Sequence, residues 1–429
     1  MDIRSRLDAW IIGFALRCLG ITTVCVPSLA GVEWLKLRNV RCVLTTEANP
    51  GPSPIPHIHV PHDMYLNIAD DDVAECPAMP RPAGGHILVT SGSTGIKKKV
   101  LIDDASLTQL IPRHIDFHSF SARSVYNLFD FELWTGMGYK MPPCVWSLGG
   151  AVVFHQGKDR HRSLLIEGIT HAFVTPSVLA ALLQAPVDEI CRNDAMRLIV
   201  GSAPMSRALL SATKDRLTSQ IFAAIGSTEI GNWALTPIEG PDDLGSHIVH
   251  PSVEVQVVDE VDRPLPAGRI GAIRIRMTDG ITGYVDDEDA TRTFFRHGYF
   301  YTGDLGAFEP SGRLVLHGRD TNIINYLGEK FSAESVEQAI ENKLSAGGAC
   351  VLSIETGEAE AELHVVIQLR GPVAKSDLDA AITSELPRGS VVTVHFIDTL
   401  PRNDTGKIDR AALRQIVTAA LARGSVHHV

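Results

Sequence analysis

Hydrophobic and polar positions alternate along the first half of the chain with two different periods. Between residues 10 and 235, short apolar segments are separated by stretches whose apolar positions recur with a helical period. The stretches predicted as helices include Ser177–Leu183 and Ser206–Leu217. The segments predicted as strands are ILVT (87–90), AVVF (151–154), HAFVT (171–175), RLIVG (197–201) and IFAAIG (221–226). This order predicts a mainly parallel sheet with helices on its faces.

The pattern changes after about residue 245. Residues 245–318 carry β-branched residues that alternate or cluster between Gly and Pro turns, as in VEVQVVD, GAIRIRM and GRLVLHG. These segments predict a β-rich subdomain. Beyond Arg319 we expect a compact α+β unit. Its predicted order is helix 333–344, strands near 349–354 and 363–369, helix 376–385, strand 391–397 and helix 409–422.

The N-terminal segment has two interpretations. RSRLDAWIIGFALRCLGITTVCVPSLAG has the basic start, apolar stretch and small-residue end of a signal peptide. However, Arg17 interrupts the apolar stretch, and a β-rich segment from Ile21 to Val26 follows Gly20. We therefore favour a core helix, a glycine and a buried strand, with no stable membrane insertion.

Composition and charge narrow the class of protein. The chain has 429 residues, of which 45% are hydrophobic and 21% charged, as expected for a globular protein with two or three domains. Its net charge of −11 argues against a nucleic-acid partner, since such partners are bound by neutralising phosphates. Seven cysteines without a CxxC pair favour free thiols and a cytoplasmic location.

The histidine-rich segment HIHVPHD is a second candidate for special chemistry. His57, His59, His62 and Asp63 are residue types that bind metals. They lie in a Pro-rich stretch without a nearby cysteine, so an ordinary loop is the better interpretation.

A loop rich in glycine and hydroxyl groups follows the predicted strand 87–90. Glycines let backbone N–H groups approach a ligand, hydroxyls add donors and lysines add positive charge, a set that fits a polyphosphate. The spacing of Gly92 and Gly95 excludes the usual P-loop. A solvated turn with a basic tail is the alternative. The loop residues in question are Thr90, Ser91, Gly92, Ser93, Thr94, Gly95 and Lys98.

Two further polar segments follow predicted strands. GSAP (201–204) comes after Val200, and GSTE (226–229) comes after Ile225. Ligands of open α/β sheets bind at the carboxyl ends of the strands. We therefore expect these two segments and the loop after residue 90 to share one edge and form one site.

Charged residues in other turns add to this set. Glu229 offers carboxylate oxygens, which are the ligands that Mg²⁺ prefers. Asp304, in the Gly-bounded turn of YFYTGDLG, can accept both hydroxyl groups of a ribose, and Arg319 follows in HGRD. Lys407 lies in a Gly-containing loop of LPRNDTGKIDR, where an exposed lysine without a role is the alternative.

Taken in order, these motifs resemble those of the acyl-adenylate-forming superfamily. That superfamily includes acyl-CoA synthetases, aryl-CoA ligases, luciferases and the adenylation domains of peptide synthetases. The resemblance extends from about Ala9 to Leu413. Each motif alone is weak, whereas all of them in this order are specific. The segments that carry it are the Ser/Gly/Thr/Lys loop, GSAP, GSTE, YTGD, GR and the final GK.

The resemblance implies an α/β fold with two domains. A large N-terminal domain, residues 1–318, would contain mainly parallel sheets and the β-rich subdomain of about 245–318. A hinge at 319–321 would join it to a small mobile α+β domain at 322–429. By the same comparison, the N-terminus is shortened relative to the family.

The resemblance also implies which residues bind the nucleotide. The loop after the first strand would wrap the β- and γ-phosphates of ATP, GSAP would line the adenine, and an Asp and an Arg would hold the ribose. The implied nucleotide-binding residues are Thr90, Ser91, Gly92, Ser93, Thr94, Gly95, Lys98, Ser202, Ala203, Pro204, Gly226, Ser227, Asp304 and Arg319.

Three residues would take part in the reaction itself. By resemblance, Thr228 would contact the α-phosphate and Glu229 would hold Mg²⁺. Lys407 would bridge the substrate carboxylate and the α-phosphate, stabilising the charge of the transition state. The enzyme would first make acyl-AMP and pyrophosphate, and the small domain would then rotate to admit the thiol of CoA or of a carrier-protein phosphopantetheine.

Several positions depart from the family pattern. The loop usually ends Pro-Lys-Gly, whereas here it ends Lys97-Lys98-Lys99. Ile225 replaces an aromatic residue that often stacks on adenine. Thr321 occupies a position that is usually Asp or Lys in the family. Asn325 occupies a position that is usually basic.

The acid pocket is harder to derive from the sequence. Trp134 aligns with a gating residue, although a core role is equally consistent with the pattern. Asp130 is a weak candidate for binding an α-ammonium group. Ala223 and Ala224 leave room, so we expect a hydrophobic aliphatic or aryl carboxylic acid.

Three functions remain open at this point. The first is an ATP-dependent acid–thiol ligase. The second is a catalytically impaired homologue that binds nucleotide or acyl groups, which Ile225, Thr321 and the short N-terminus would favour. The third is an enzyme that uses acyl-AMP to form a β-lactone or an amide.

Overall fold

The protein divides into two compact units. The first comprises Met1–Ala172, Gly226–Trp233 and Arg276–Phe300, and the second comprises Phe173–Ile225, Ala234–Ile275 and Tyr301–Val429. A computed structural model describes residues 1–3, 5–26, 37–48, 55–61, 84–90, 98–129, 131–155, 160–166, 168–276, 278, 281–326, 329–344, 346–354, 362–369, 371–383, 386–387, 389–402, 407–421 and 427–428.

Helices and strands alternate through both units, as the hydrophobic pattern predicts. The α-helices within the described residues are α1 Arg6–Cys18, α2 Asp104–His118, α3 Gly136–Trp146, α4 Pro176–Leu182, α5 Arg207–Arg216, α6 Glu288–Phe294, α7 Ala333–Leu344, α8 Lys375–Thr383 and α9 Arg410–Leu421. The strands within the same residues are β1 Thr23–Val24, β2 Val43–Thr45, β3 His57–His59, β4 His86–Val89, β5 Lys99–Ile102, β6 Val125–Asn127, β7 Ala151–Val153, β8 His171–Val174, β9 Arg197–Gly201, β10 Ile221–Ser227, β11 Gly231–Pro237, β12 Ser246–His247, β13 Val255–Val258, β14 Gly271–Arg276, β15 Phe295–Arg296, β16 Tyr299–Phe308, β17 Leu314–Arg319, β18 Ile323–Tyr326, β19 Glu329–Ser332, β20 Gly348–Ile354, β21 Glu362–Gln368, β22 Val392–Phe396 and β23 His427–His428.

The N-terminal segment is a core helix followed by a glycine and a strand, as predicted. The Ser5 hydroxyl caps α1 by accepting a hydrogen bond from the backbone N–H of Asp8 at 3.3 Å. Trp10 of α1 is 2% exposed and stacks on Tyr139, with ring centroids 5.1 Å apart. Gly20 has a φ of +74°, which lets the chain turn after the helix. Among the described residues, no helix is long and apolar enough to cross a membrane.

Strand pairs from three sheets contribute to the first unit. Strand β4 lies between β1 and β5, parallel to β1 and antiparallel to β5. Strand β6 pairs in parallel with β7 and β8, and β2 pairs in parallel with β3. Helices α1, α2 and α3 pack on this framework through a buried cluster that includes Trp10, Leu88, Leu110 and Tyr139.

Most of the predicted β-rich segment lies in the second unit, whereas residues 276–300 belong to the first. The strands of this segment follow the spatial order β12–β17–β16–β14–β13, and the β12–β17, β16–β17 and β13–β14 pairs are antiparallel. Strands β9 and β10 pair in parallel. The alternation of apolar residues in VEVQVVD and GAIRIRM therefore gives β13 and β14, as expected.

The last part of the second unit has the predicted α+β order. Strands β20, β21 and β22 form one sheet, antiparallel for the first pair and parallel for the second. Helix α7 begins and ends at the predicted residues. Its buried residues Val336 and Ile340 pack with Val365 of β21 in one hydrophobic core.

One expectation about the strand ends is wrong. The loop after residue 90 does not share a sheet with GSAP and GSTE, because β4 belongs to the β1–β4–β5 sheet whereas β9 and β10 pair elsewhere. After the loop the chain returns antiparallel as β5, which makes a hairpin-like pair instead of a helical crossover. Only the segments after β9 and β10 follow neighbouring strands of one sheet.

Candidate active site

A backbone hydrogen bond joins the two described ends of the candidate phosphate loop. The backbone N–H of Thr90 donates to the Lys98 oxygen at 2.8 Å, which closes the loop where β4 ends and β5 begins. Thr90 is buried, and Lys98 is partly buried. The other candidate loop residues, Ser91, Gly92, Ser93, Thr94 and Gly95, lie outside the described residues.

Lys98 lies against aromatic rings of the same unit. Its Nζ is 3.6 Å from the ring centroid of Phe294 and 5.4 Å from that of Tyr284. A cation over an aromatic face is stabilised electrostatically by the ring quadrupole. The rings therefore hold a positive charge at the end of the phosphate loop.

Glu229 is buried and oriented by the same tyrosine. Glu229 is 7% exposed, and its Oε1 accepts a hydrogen bond of 2.6 Å from the Tyr284 hydroxyl. Tyr284 is part of the core of the first unit. A chain of contacts thus runs from Lys98 through Tyr284 to Glu229.

The GSTE turn is tightly packed. A Cβ on Gly226 would lie 2.3 Å from the Asn232 Oδ1 and 2.8 Å from the Gly231 oxygen, so only glycine fits there. The Ser227 hydroxyl accepts from the backbone N–H of Ile230 at 3.3 Å. The main-chain oxygen of Thr228 accepts a hydrogen bond of 2.6 Å from Lys140 Nζ. These contacts place Thr228 and Glu229 on a well-defined turn.

The structure brings GSAP and Ile225 to neighbouring strand ends. Strands β9 and β10 are parallel, with Gly201 paired to Ala224, so Ser202 and Ile225 follow side by side. Ser202 has a φ of +73°, a conformation that costs free energy for a residue other than glycine and is typical of ligand-binding turns. Residues 202–204 are exposed and Ile225 is half-buried, which suits a nucleotide base lying on them.

Asp304 and Arg319 face each other across two antiparallel strands. They are register partners in β16 and β17, and Arg319 Nε lies 2.8 Å from Asp304 Oδ1. Arg319 Nη1 also donates to the Thr302 oxygen at 2.9 Å. Burial raises the pKa of Asp304, while the positive charges of Arg319 and Lys407 act to lower it.

Lys407 therefore lies within electrostatic range of Asp304, although 103 positions separate the two residues in the sequence (407 − 304). The chain around Lys407 is anchored by its neighbours. The backbone N–H of Asp409 donates to the Pro401 oxygen at 2.8 Å, and Arg410 Nη2 pairs with Glu337 Oε2 at 2.6 Å. Burial raises the pKa of Glu337 to about 7, and Arg410 opposes that shift.

The remaining candidates are distributed as follows. Trp134 is partly buried against the core of the first unit, and its oxygen accepts from the backbone N–H of Val89 at 2.9 Å. Ala224 is buried and Ala223 is partly buried in β10. Asp130, His62 and Asp63 lie outside the described residues, and the described cysteines are free thiols. Within the described part of the chain, no group of three or more His, Cys, Asp or Glu side chains could hold a metal ion.

Sequence reasoning missed several residues that contact the candidates, among them three whose side chains lie beside Lys98, Thr228 or Glu229. These three are Lys140, Tyr284 and Phe294. Lys140 gives one signal in the sequence, because it is a lone cation in the otherwise uncharged segment WTGMGYKMPPCVW. Tyr284 and Phe294 give none, since aromatic residues near a β-rich segment are ordinary core residues.

Comparison with known proteins places these observations in a family. The family model described as AMP-binding enzyme matches residues 41–285, more than half of the chain. Triostin synthetase I of Streptomyces triostinicus is 30% identical over 268 residues, covering 59% of this chain and 49% of the relative. Salicylyl-CoA synthase / salicylate adenylyltransferase of a Streptomyces species is 29% identical over 380 residues, covering 81% of this chain and 66% of the relative.

Solved structures share the fold. O-succinylbenzoate CoA synthetase from Bacillus subtilis, in complex with the acyl-adenylate intermediate OSB-AMP, matches with a TM-score of 0.78 at 19% identity, covering 96% of this chain and 87% of that structure. The chain spans about half to two thirds of the length of the first curated relatives. Because the family model matches more than half of the chain, the chain belongs to the AMP-binding enzyme family.

Proposed function

We propose that this chain uses ATP to activate a carboxylic acid as an acyl-adenylate and then forms a thioester. In the first step a carboxylate oxygen attacks the α-phosphorus of ATP, and pyrophosphate leaves. In the second step a thiol sulfur attacks the acyl carbon, and AMP leaves. Family membership supports the use of a nucleotide. The observation that carries the proposal is that Asp304 pairs with Arg319 at 2.8 Å and also experiences the positive charge of Lys407.

In the first unit, we assign the phosphates and the metal. Thr90, Lys98 and the loop residues Ser91–Gly95 would bind the β- and γ-phosphates, and Thr228 would contact the α-phosphate. Mg²⁺ commonly uses one or two protein carboxylates together with substrate phosphates, so a single buried carboxylate such as Glu229 fits this ion. Bound Mg²⁺ would neutralise phosphate charge.

In the second unit, we assign the nucleoside and the reacting carboxylate. Ser202, Ala203 and Pro204 would line the adenine. Gly226 and Ser227, which belong to the first unit, are assigned to nucleotide binding as well. Asp304 and Arg319 would hold the ribose hydroxyls. Lys407 would stabilise negative charge that builds up between the substrate carboxylate and the α-phosphate.

The proposed second step requires movement. Lys407 and an incoming thiol cannot occupy the same space, so we propose that residues beyond the hinge 319–321 rotate between the two steps. The boundary between domains 1–318 and 322–429 is part of this proposal. Hinge residues need only absorb a change in φ and ψ.

We further propose a hydrophobic aliphatic or aryl acid as the substrate. The small residues Ala223 and Ala224 support this, and one relative is named for an aryl acid, salicylate. The acceptor would be CoA or a carrier-protein phosphopantetheine, and the location would be cytoplasmic.

Carboxylate-dependent exchange of labelled pyrophosphate into ATP tests the proposal. A panel of aliphatic, aryl and amino acids should give exchange with at least one hydrophobic acid, and adding CoA should then yield its thioester. ATP binding without exchange for any acid would favour the impaired homologue. Exchange without thioester formation, together with capture of the adenylate by an amine, would favour amide formation.

A further inference from the structure

A buried lysine lies directly behind the GSTE turn. Lys140, in the second turn of α3, is 1% exposed. Its Nζ donates a hydrogen bond of 2.6 Å to the main-chain oxygen of Thr228. The roles of Thr228 and Glu229 in adenylation are proposed above, so the role inferred for Lys140 rests on the proposed function.

The burial of Lys140 is costly for the fold. A lysine amine loses its hydration when it is buried, and that loss is recovered only through hydrogen bonds and nearby charges. The neighbouring positions Tyr139 and Met141 are also buried. An aliphatic side chain at position 140 would fill the same space without this cost. The hydrogen bond that the amine makes therefore explains a lysine at position 140 better than packing does.

Helix α3 presents two residues to the same part of the turn. Gly136 lies one helical turn before Lys140, so both residues share one face of the helix. A Cβ on Gly136 would lie 3.5 Å from the Thr228 Cα. The start of α3 thus packs against Thr228, and the next turn of the helix donates to its oxygen.

A second cation holds the same segment. Arg113 of α2 donates from Nη2 to the main-chain oxygen of Ile230. The intervening residue, Glu229, receives the Tyr284 hydroxyl. Thr228, Glu229 and Ile230 are therefore each restrained by a side chain from a distant part of the first unit. Two of these three restraining side chains are basic. Basic groups behind this turn also favour binding of an anion in front of it.

We propose that Lys140 is a positioning residue for the nucleotide. Its amine restrains the Thr228 main chain, so that Thr228 and Glu229 are already arranged for the α-phosphate and its magnesium. The alternative is that Lys140 recognises a polar group on the acid substrate. The two roles predict different effects of removing the amine. If Lys140 positions the turn, its removal alters nucleotide affinity, and if it recognises the acid, its removal alters which acid is preferred.

The test compares three variants with the wild type. Lys140→Met removes the amine and keeps an unbranched chain, and Lys140→Arg keeps a charged donor. Lys375→Met, at an exposed position of α8, controls for removal of a lysine elsewhere. Calorimetry gives the Kd for MgATP, pyrophosphate exchange gives KM and kcat, and hydrogen exchange reports the opening of residues 226–232.

We expect Lys140→Met to raise the Kd for MgATP about tenfold, the usual effect of losing a hydrogen bond that involves a charged group. Hydrogen exchange across 226–232 should accelerate, while KM for the acid stays within about twofold. Lys140→Arg should recover most of the affinity, and Lys375→Met should match the wild type. If Lys140→Met does not fold, Lys140→Arg and Lys140→Gln are compared, and Gln should be the weaker binder of MgATP.

Two outcomes overturn the proposal. One is unchanged MgATP affinity in folded Lys140→Met, or in Lys140→Gln where that variant stands in for it. The other is a changed preference among acids with normal nucleotide binding, which would assign Lys140 to the acid pocket. A wild type that binds MgATP but makes no adenylate would refute the proposed function alone, because the Kd comparison would still decide the role of Lys140. A wild type that binds no nucleotide would overturn both.

Discussion

The two units hold their candidate carboxylates in different ways. In the first unit, Glu229 receives a hydrogen bond from a neutral hydroxyl, that of Tyr284. In the second unit, Asp304 is paired directly with the guanidinium of Arg319 at 2.8 Å and also lies in the field of Lys407. The hydrogen-bond partner of the first carboxylate is a neutral hydroxyl, and the partner of the second is a cation.

This difference suits two different ligands. A carboxylate oriented by a phenol retains the charge that a hard cation needs. A carboxylate paired with arginine is better suited to accept hydrogen bonds from neutral groups, such as sugar hydroxyls, because its charge is already balanced. The contrast supports the proposed assignment of metal to the first unit and ribose to the second.

The largest effect should come from Lys407, the cation of the second unit that we propose acts in adenylation. Lys407→Ala should lower the rate of acyl-AMP formation on the order of 100-fold to 1,000-fold, since it removes a group that stabilises transition-state charge. The initial rate of pyrophosphate exchange measures this, with the melting temperature as a check on folding. Lys375→Ala, on exposed α8, should leave the rate unchanged. Adenylate formation at the wild-type rate in Lys407→Ala would show that the assignment is wrong.

A hinge substitution should separate the two steps. Thr321 lies between β17 and β18, and Thr321→Pro fixes φ and removes an N–H. Thioester formation should slow on the order of tenfold or more, with adenylation much less affected, because rotation is needed only between the steps. Single-turnover measurements of each step give the ratio. If the ratio of the thioester-forming rate to the adenylation rate is the same in the wild type and in Thr321→Pro, that result would count against rotation at 319–321.

The tyrosine of the first unit offers a matched pair of variants. Tyr284→Phe removes the hydrogen bond to Glu229 and keeps the ring beside Lys98. We expect the Mg²⁺ concentration for half-maximal exchange to rise about fivefold, the effect of one hydrogen bond. Tyr301→Phe removes a hydroxyl that bonds to Arg274 in the second unit and should not change the Mg²⁺ dependence. The same shift in both variants would remove the distinction between the two units.

The smallest effect should come from the adenine side. Ile225 is half-buried beside the GSAP turn, and Ile225→Tyr adds a ring that can stack on a base. Stacking contributes about 1 kcal/mol beyond area burial, so the Kd for ATP should fall roughly fivefold at most. Titration of ATP into the folded variant measures the change. Unchanged or weaker affinity would argue that adenine does not lie on Ile225.

The order of elements was predictable because it depends on local periodicity. The predicted strand at 197–201 and helix at 333–344 agree with β9 and α7 residue for residue. Gly20 after an amphipathic segment correctly indicated a helix end before a strand. Such features need only neighbouring residues, so the sequence alone contains them.

Sheet membership was not predictable in the same way. The expectation that the loop after residue 90 shares an edge with GSAP failed, since β4 pairs with β1 and β5. An apolar strand of four residues contains no sequence feature that identifies its partner strand. Partner choice depends on the crossover and on the surfaces that pack beneath the strands.

By itself the sequence determined the order of helices and strands, the chemistry of the candidate loops and the identity of their charged residues. Only the tertiary structure decided which carboxylate receives a phenol and which receives a guanidinium. It also decided that Lys140 meets Thr228, which is 88 positions away, and that Tyr284 meets Glu229, which is 55 positions away. The physical reason is that hydrogen bonds require atoms within about 3 Å, and over such separations that proximity comes from the packing of whole helices and sheets, which no local pattern encodes.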